Sequence, residues 1–144
     1  VTKSLKRHLF ISQNNENIER LFSLGCNPGS YGTLEIKLLI IDRDKSIIKT
    51  ENYLLIYIYN IINLQKTYSI KISQINSLTT DICNNIDTNF IKNFSTKCSY
   101  KVNTTFDNLI IDIYYEYQLN SIDETSISLD LIVDSTSTDN VKLE

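Results

Sequence analysis

Period-two alternation of apolar and polar side chains recurs along this chain of 144 residues. In the clearest case, Leu109 to Gln118, the apolar Ile111 and Ile113 alternate with Asp112 and Glu116. Successive side chains of a strand point to opposite faces, so the pattern predicts strands with one buried and one wet face. Such patterns predict six strands, over the segments Thr33–Asp42, Asn52–Ile62, Tyr68–Ser73, Cys98–Val102, Leu109–Gln118 and Ser126–Val133.

The second of these strands differs from the others because it is apolar or aromatic on both faces. One face carries Leu54, Ile56 and Ile58, and the opposite face is mostly tyrosine. Strands that are buried on both sides have this composition. We therefore expect both faces of Asn52–Ile62 to be covered by other parts of the protein.

Two segments carry helical spacing instead. In Ser12–Gly25, Ile18, Leu21 and Phe22 recur at i, i+3 and i+4, and Gly25 is placed to end a helix. In Thr80–Phe94 the apolar residues recur every four positions, at Ile82, Ile86, Phe90 and Phe94. The sequence thus predicts two short helices, and Pro28-Gly29 after the first predicts a type II turn.

Together these elements predict an α+β, β-rich fold in the order α-βββ-α-βββ. About six strands would form a predominantly antiparallel sheet or sandwich, with the two helices covering it. We expect an N-terminal arm over residues 1–11, a single β-rich domain over 12–133 and a polar C-terminal tail or linker over 134–144. Ordered polar ends of this kind are expected to lie against another chain or element, most economically by strand addition.

Composition indicates the origin of the chain and excludes some partners. Alanine is absent, whereas Ile occurs 23 times and Asn 16 times, a bias typical of a very AT-rich genome. Large DNA viruses, protozoan parasites and some bacteria all have such genomes. The net charge is −3, and the one basic cluster is Lys3, Lys6, Arg7 and His8. We therefore expect no nucleic-acid partner. No apolar stretch is long enough to predict a transmembrane helix.

Residues suited to catalysis or metal binding are sparse. The single histidine, His8, lies in the basic arm, and no glycine-rich phosphate loop occurs. Cys26, Cys83 and Cys98 do not have the spacing of a metal site. We expect no enzyme activity, no cofactor and no metal. Buried free thiols are the favoured state of the cysteines, and a Cys83–Cys98 disulfide is the alternative outside the cytoplasm.

Two N-glycosylation sequons begin at Asn93 and Asn103. So many Asn, Ser and Thr residues produce about three sequons by chance, so the two provide no argument for secretion. Tyrosine is the more informative surface signal, because its ring joins a large apolar area to a polar tip. Tyr114, among polar neighbours, is the best contact candidate. Three further candidates lie together on one strand: Tyr53, Tyr57 and Tyr59.

The sequence favours a non-enzymatic structural or assembly protein that acts through protein–protein contacts, from a virus with an AT-rich genome. Such a protein would bind a protein partner or assemble with itself, as a homo-oligomer or within a larger assembly, in the virion or the host cytoplasm. The alternative is a secreted or surface-exposed ligand-binding module of a virus or parasite. That alternative predicts glycan at Asn93 or Asn103 and an extracellular location.

Overall fold

The computed structural model describes residues 3–10, 18–42, 44–75, 80–84, 91–116, 128–137 and 139–143. Within these ranges the chain is all-β, so the predicted α+β class is wrong. The strands are β1 Lys3–Phe10, β2 Ile18–Cys26, β3 Tyr31–Ile41, β4 Ile47–Ile62, β5 Gln65–Gln74, β6 Thr80–Asn84, β7 Ile91–Asn93, β8 Cys98–Thr105, β9 Asn108–Glu116, β10 Ser128–Ser135 and β11 Asn140–Lys142. No helix in these ranges is long and apolar enough to cross a membrane.

The strands form two antiparallel sheets that enclose one hydrophobic core. The six-stranded sheet has the order β1-β10-β3-β4-β5-β6, and the five-stranded sheet has the order β11-β2-β9-β8-β7. Both sheets contribute buried side chains to a single cluster. Ile111 and Ile113 of β9 are 0% and 1% exposed, as their alternation predicts. The architecture is therefore a β-sandwich, and all six predicted strands belong to it.

The first predicted helix, Ser12–Gly25, is wrong over its described part, because Ile18–Cys26 is strand β2. A β-bulge shifts the pairing of β2 with β9 between Arg20 and Phe22. The extra residue puts the consecutive Leu21 and Phe22 both into the core. This break in the period of two produced the i, i+3, i+4 spacing that resembles a helix.

The second predicted helix, Thr80–Phe94, is also contradicted over its described part. Its beginning is strand β6, which pairs with β5, and Ile91–Asn93 is strand β7, which pairs with β8. Residues 85–90, which include Ile86 and Phe90 of the predicted helical stripe, lie outside the described residues. The segment is rich in Asn and Thr, which favour a helix poorly. In its described parts, pairing with β5 and β8 satisfies the backbone instead.

Both ends of the chain join the sheets as edge strands. Lys3–Phe10 pairs along its whole length with β10, and Asn140–Lys142 pairs with β2. The Arg7 guanidinium crosses to the other sheet and donates to the backbone carbonyls of Arg20 (2.8 Å) and Leu21 (2.9 Å). These carbonyls lie at the β2 bulge, where the strand ladder is interrupted, so Arg7 links the two sheets at their shared edge.

The predicted type II turn is present after β2. The Ser30 amide donates to the Asn27 carbonyl at 3.1 Å, and Gly29 has φ = 80°. Such a turn needs a positive φ at its third residue, which glycine adopts without strain. The turn leads the chain from the five-stranded sheet directly into β3 of the six-stranded sheet.

Candidate functional site

The outer face of the six-stranded sheet carries an exposed apolar cluster, which we call the contact face: Tyr31, Leu54, Ile56 and Ile58. Tyr31 is 74% exposed, Ile56 41% and Ile58 47%. Tyr31 of β3 lies directly opposite Ile58 of β4, and Ile56 is the next outward residue along β4. The expectation that both faces of Asn52–Ile62 are covered is therefore wrong within the described residues, because only the tyrosine face is buried.

Two opposite charges flank the contact face. Glu35 of β3 pairs with Leu54, and Lys71 of β5 pairs with Ile56 on the other side of β4. Both charged residues are exposed. An acidic group thus borders one long side of the apolar cluster, and a basic group borders the other.

The outer face of the five-stranded sheet has the opposite character. Here a cleft of about 550 Å³ opens between polar side chains, and we call it the polar cleft. It is lined by Arg20, Ser23, Gly25, Asn27, Asn103, Asn108, Ile110, Asp112, Asn140 and Lys142. The strand register places these residues in rows that cross four strands, so residues far apart in sequence meet on one surface.

The floor of the polar cleft is formed by the central one of these rows. It runs from Asn140 on β11 through Gly25 on β2 and Ile110 on β9 to Asn103 on β8. A Cβ added at Gly25 would meet no atom within 4 Å. Because neighbouring strands lie about 4.8 Å apart, this glycine leaves a gap about 10 Å wide between the Asn140 and Ile110 backbones.

The next row carries the charges of the polar cleft. It runs from Lys142 through Ser23 and Asp112 to Lys101. The Ser23 hydroxyl donates to Oδ1 of Asp112, which fixes that carboxylate against the sheet. Arg20, farther along β2, adds a second basic group to the lining. The cleft therefore combines one carboxylate with cations on both sides of it.

Tyr114, the leading contact candidate from the sequence, lies at the end of the polar cleft. It is half-buried on the outer face of β9, two residues beyond Asp112 and opposite Arg20. Partial burial raises the pKa of its hydroxyl, the charge of Asp112 raises it further, and Arg20 lowers it. The Tyr114 hydroxyl therefore stays protonated at neutral pH and can act as a hydrogen-bond donor.

Tyr53, Tyr57 and Tyr59 are not on the surface, in contrast to the proposal from the sequence. All three are at most 1% exposed. Their hydroxyls have internal partners, which is how tyrosine is accommodated in a core. Tyr53 donates to Glu51 Oε2 at 3.1 Å, and Tyr59 donates to the Asp107 carbonyl at 2.8 Å. The inward face of β4 is thus a structural face.

Tyr57 belongs to a buried polar group that holds the chain after β10. Its hydroxyl donates to Oδ2 of Asp139 at 2.6 Å and contacts Ser137 Oγ. Asp139 is 4% exposed. It also accepts hydrogen bonds from Ser137 Oγ at 3.1 Å and from the backbone N–H of Asn27 at 3.2 Å. Burial, and then this bond to Asp139, raise the pKa of Tyr57. The group stabilises the crossing from β10 to β11.

The other residues singled out in the sequence occupy different places. Asn93 is exposed on the short edge strand β7, whereas Asn103 lies in the polar cleft. Cys98 is a buried free cysteine, and the side chain of Cys83 lies outside the described residues. Burial raises the pKa of the Cys98 thiol to about 11, partly offset by a hydrogen bond with Ser95. The disulfide and both glycosylation sites stay predictions.

Sequence reasoning missed both outer-face features for identifiable reasons. Ile56 and Ile58 were recognised as apolar, but the sequence does not show which face of a strand another element covers. Gly25 was interpreted as the end of a helix, so its role as the floor of a cleft could not be seen. The one available signal was a glycine inside an apolar segment, which in a strand marks a close approach or an open space.

The comparisons with known proteins do not assign this chain to a family. No protein-family model matches the sequence, and no curated protein matches it. One solved structure with a similar chain path is described as the crystal structure of Acinetobacter baumannii phage AM24 tailspike protein, with a TM-score of 0.46 and 6% identity. The alignment covers 100% of this chain and 26% of that one, so this chain spans about a quarter of the tailspike protein's length. A similarity this low does not assign a function.

Proposed function

We propose that this chain is a non-enzymatic structural or assembly module that acts through protein–protein contacts, and that its contact face binds a second copy of the same chain. The observation that carries the proposal is the exposure of Tyr31, Ile56 and Ile58 in one contiguous cluster on the outer face of the six-stranded sheet. Contiguous exposed apolar patches are typical of protein–protein interaction sites. The AT-rich composition fits a large DNA virus, and it fits a protozoan parasite or some bacteria equally well.

The flanking charges favour a second copy over an unrelated partner. A two-fold axis along β4, in the plane of the contact face, sets β3 of one copy against β5 of the other. Glu35 of one copy then lies beside Lys71 of the other, and the symmetry repeats the pair. The contact face is therefore complementary to itself in charge.

The size of the apolar cluster predicts a weak association. Three side chains that are about half exposed gain roughly 2–4 kcal/mol per copy when they are fully buried. Two copies together gain roughly 4–8 kcal/mol, against an association cost of about 4 kcal/mol or more. The net gain is then at most about 4 kcal/mol, so we expect a dimer that is populated only at concentrations of about 1 mM and above.

Light scattering across a concentration series tests the proposal. The wild-type protein should increase in average mass with concentration, and Ile56→Asp should stay monomeric because it buries a charge in the interface. Thr50→Asp is the matched control, since Thr50 is exposed on the same face of β4 but outside the cluster. It should associate like the wild type. A wild type that is monomeric at millimolar concentration, or an Ile56→Asp protein that still associates, would refute the proposal.

A further inference from the structure

We infer that the polar cleft is a binding site for a polyhydroxylated ligand of the oligosaccharide class. Its volume of about 550 Å³ lies within the range of small-ligand sites, and polar groups from four strands converge on it. The site is on the other sheet from the contact face. It therefore does not depend on self-association and extends beyond the function proposed above.

The side chains of the cleft have the chemistry that hydroxyl groups need. Four asparagines line it: Asn27, Asn103, Asn108 and Asn140. Each carboxamide offers an NH₂ donor and a carbonyl acceptor, which matches a hydroxyl that donates and accepts at once. Within the part of the chain that the structure describes, the amides of Asn103, Asn108 and Asn140 make no side-chain hydrogen bond, so they are available to a ligand.

The floor of the cleft suits the C–H face of a sugar ring. Ile110 supplies an apolar side chain, and Gly25 beside it supplies an open space with no side chain. The Asn140 and Ile110 backbones on either side of Gly25 lie about 10 Å apart, and the open space above Gly25 can receive one edge of a pyranose ring. An apolar floor with polar walls orients such a ring, because its hydroxyls project from the edge of the ring.

The lining and position of the cleft fit a saccharide better than a phosphate-rich ligand or a peptide. Asp112 is anchored by Ser23 in the row that runs from Lys142 to Lys101, so a carboxylate lies among the basic groups, unlike the purely cationic pocket that suits a phosphate-rich ligand. The site lies on a sheet face, where a peptide cannot add as a strand. Among the described residues of the lining, Ile110 is the one large apolar side chain, which leaves little to hold the side chains of a peptide.

Gly25 offers a selective way to block the site. Because an added Cβ meets no atom within 4 Å, Gly25→Val fills the floor without a clash, and valine favours a strand. The fold and the thermal midpoint of unfolding should be retained. The matched control is Thr50→Val, an equally β-branched substitution on the outer face of the other sheet.

The experiment is a titration followed by amide NMR signals. The probes are neutral, N-acetylated and acidic di- and trisaccharides, with triglycine and inorganic phosphate as comparison ligands. At least one saccharide should shift the signals of Gly25, Ile110 and the cleft asparagine side chains. Its affinity should fall by about tenfold or more in Gly25→Val and stay unchanged in Thr50→Val. Asn140→Ala, which truncates one wall on an edge strand, should also weaken binding.

Several results would overturn the inference. These are the absence of any saccharide response at the cleft, binding that survives Gly25→Val, or a response to triglycine or phosphate alone. Ile56→Asp distinguishes this test from that of the contact face. It should abolish association and leave the saccharide titration unchanged, so failure of one proposal does not imply failure of the other.

Discussion

The Tyr57 hydroxyl donates to a carboxylate. Removing it should therefore destabilise the protein more than removing a tyrosine hydroxyl whose partner is a neutral group. Tyr57→Phe keeps the buried ring and deletes the donor that lies 2.6 Å from Asp139 Oδ2. Asp139 is almost fully buried, so water cannot replace the lost bond. Hydrogen bonds to charged groups contribute about 1.5–3 kcal/mol, and a buried carboxylate left short of donors adds to the cost.

We therefore expect Tyr57→Phe to lower the free energy of unfolding by about 2–3 kcal/mol, measured by urea denaturation. The corresponding fall in the midpoint of thermal unfolding is about 4–12 °C for a protein of this size. Tyr59→Phe is the matched control, because its hydroxyl donates to the carbonyl of Asp107 in an exposed turn. That change should cost only about 0.5–1.5 kcal/mol.

A double-mutant cycle isolates the pair. If the bond is as described, Asp139→Asn should cost less in the Tyr57→Phe background than in the wild type, because the partner of the carboxylate is already gone. The reasoning would be refuted if Tyr57→Phe were no more destabilising than Tyr59→Phe, or if the two changes at Tyr57 and Asp139 were additive.

Two further predictions concern the buried thiols and phenols. Burial raises the pKa of Cys98 to about 11 and that of Tyr115 to about 12, from ordinary values of 9.0 and 10.0. As the pH rises, the unfolded state therefore releases these protons before the folded state does. The free energy of unfolding should be constant up to about pH 9 and fall at higher pH. Urea midpoints that are unchanged at pH 10.5 would contradict this. Cys26 and Cys98 should react slowly with a thiol reagent in the native protein and rapidly in urea. An intact mass that shows fewer than three free thiols would instead support the disulfide.

The strands of this fold could be predicted where burial follows a simple local rule. Ile111 and Ile113 face the core and Glu116 faces solvent, as period-two alternation requires. The Pro28-Gly29 turn followed from the conformational freedom of one glycine. Both features depend on residues that are close in sequence, and such local patterns can be identified from a single sequence.

The failures came from structure that depends on distant residues. The bulge between Arg20 and Phe22 is defined only by its pairing with β9, and it changed the apparent period of the segment. The terminal strands β1 and β11 are polar because they lie at sheet edges, where charged residues are common. Strand addition was predicted for these ends, but their partner strands β10 and β2 are distant in sequence and could not be identified.

The candidate sites were the least predictable part. Gly25, Ile110 and Asn103 are distant in sequence and meet only because three strands pair in a particular register. Tyr114 could be found because its own neighbours on β9 are polar, which marks an outward position. For Tyr57 the same composition argument failed, since its partner Asp139 lies 82 residues away.

The central claim is that the contact face binds a second copy of this chain, and a charge swap tests it most directly. Lys71→Glu alone should place two acidic groups together across the interface and weaken the dimer by about tenfold at low ionic strength. Glu35→Lys combined with Lys71→Glu should restore association, since each pair is again opposite in charge. Sedimentation velocity over a concentration series measures both effects. Loss on the single reversal with recovery in the double variant is the predicted result. A single reversal without effect, or a double variant that stays as weak as the single one, would contradict the claim.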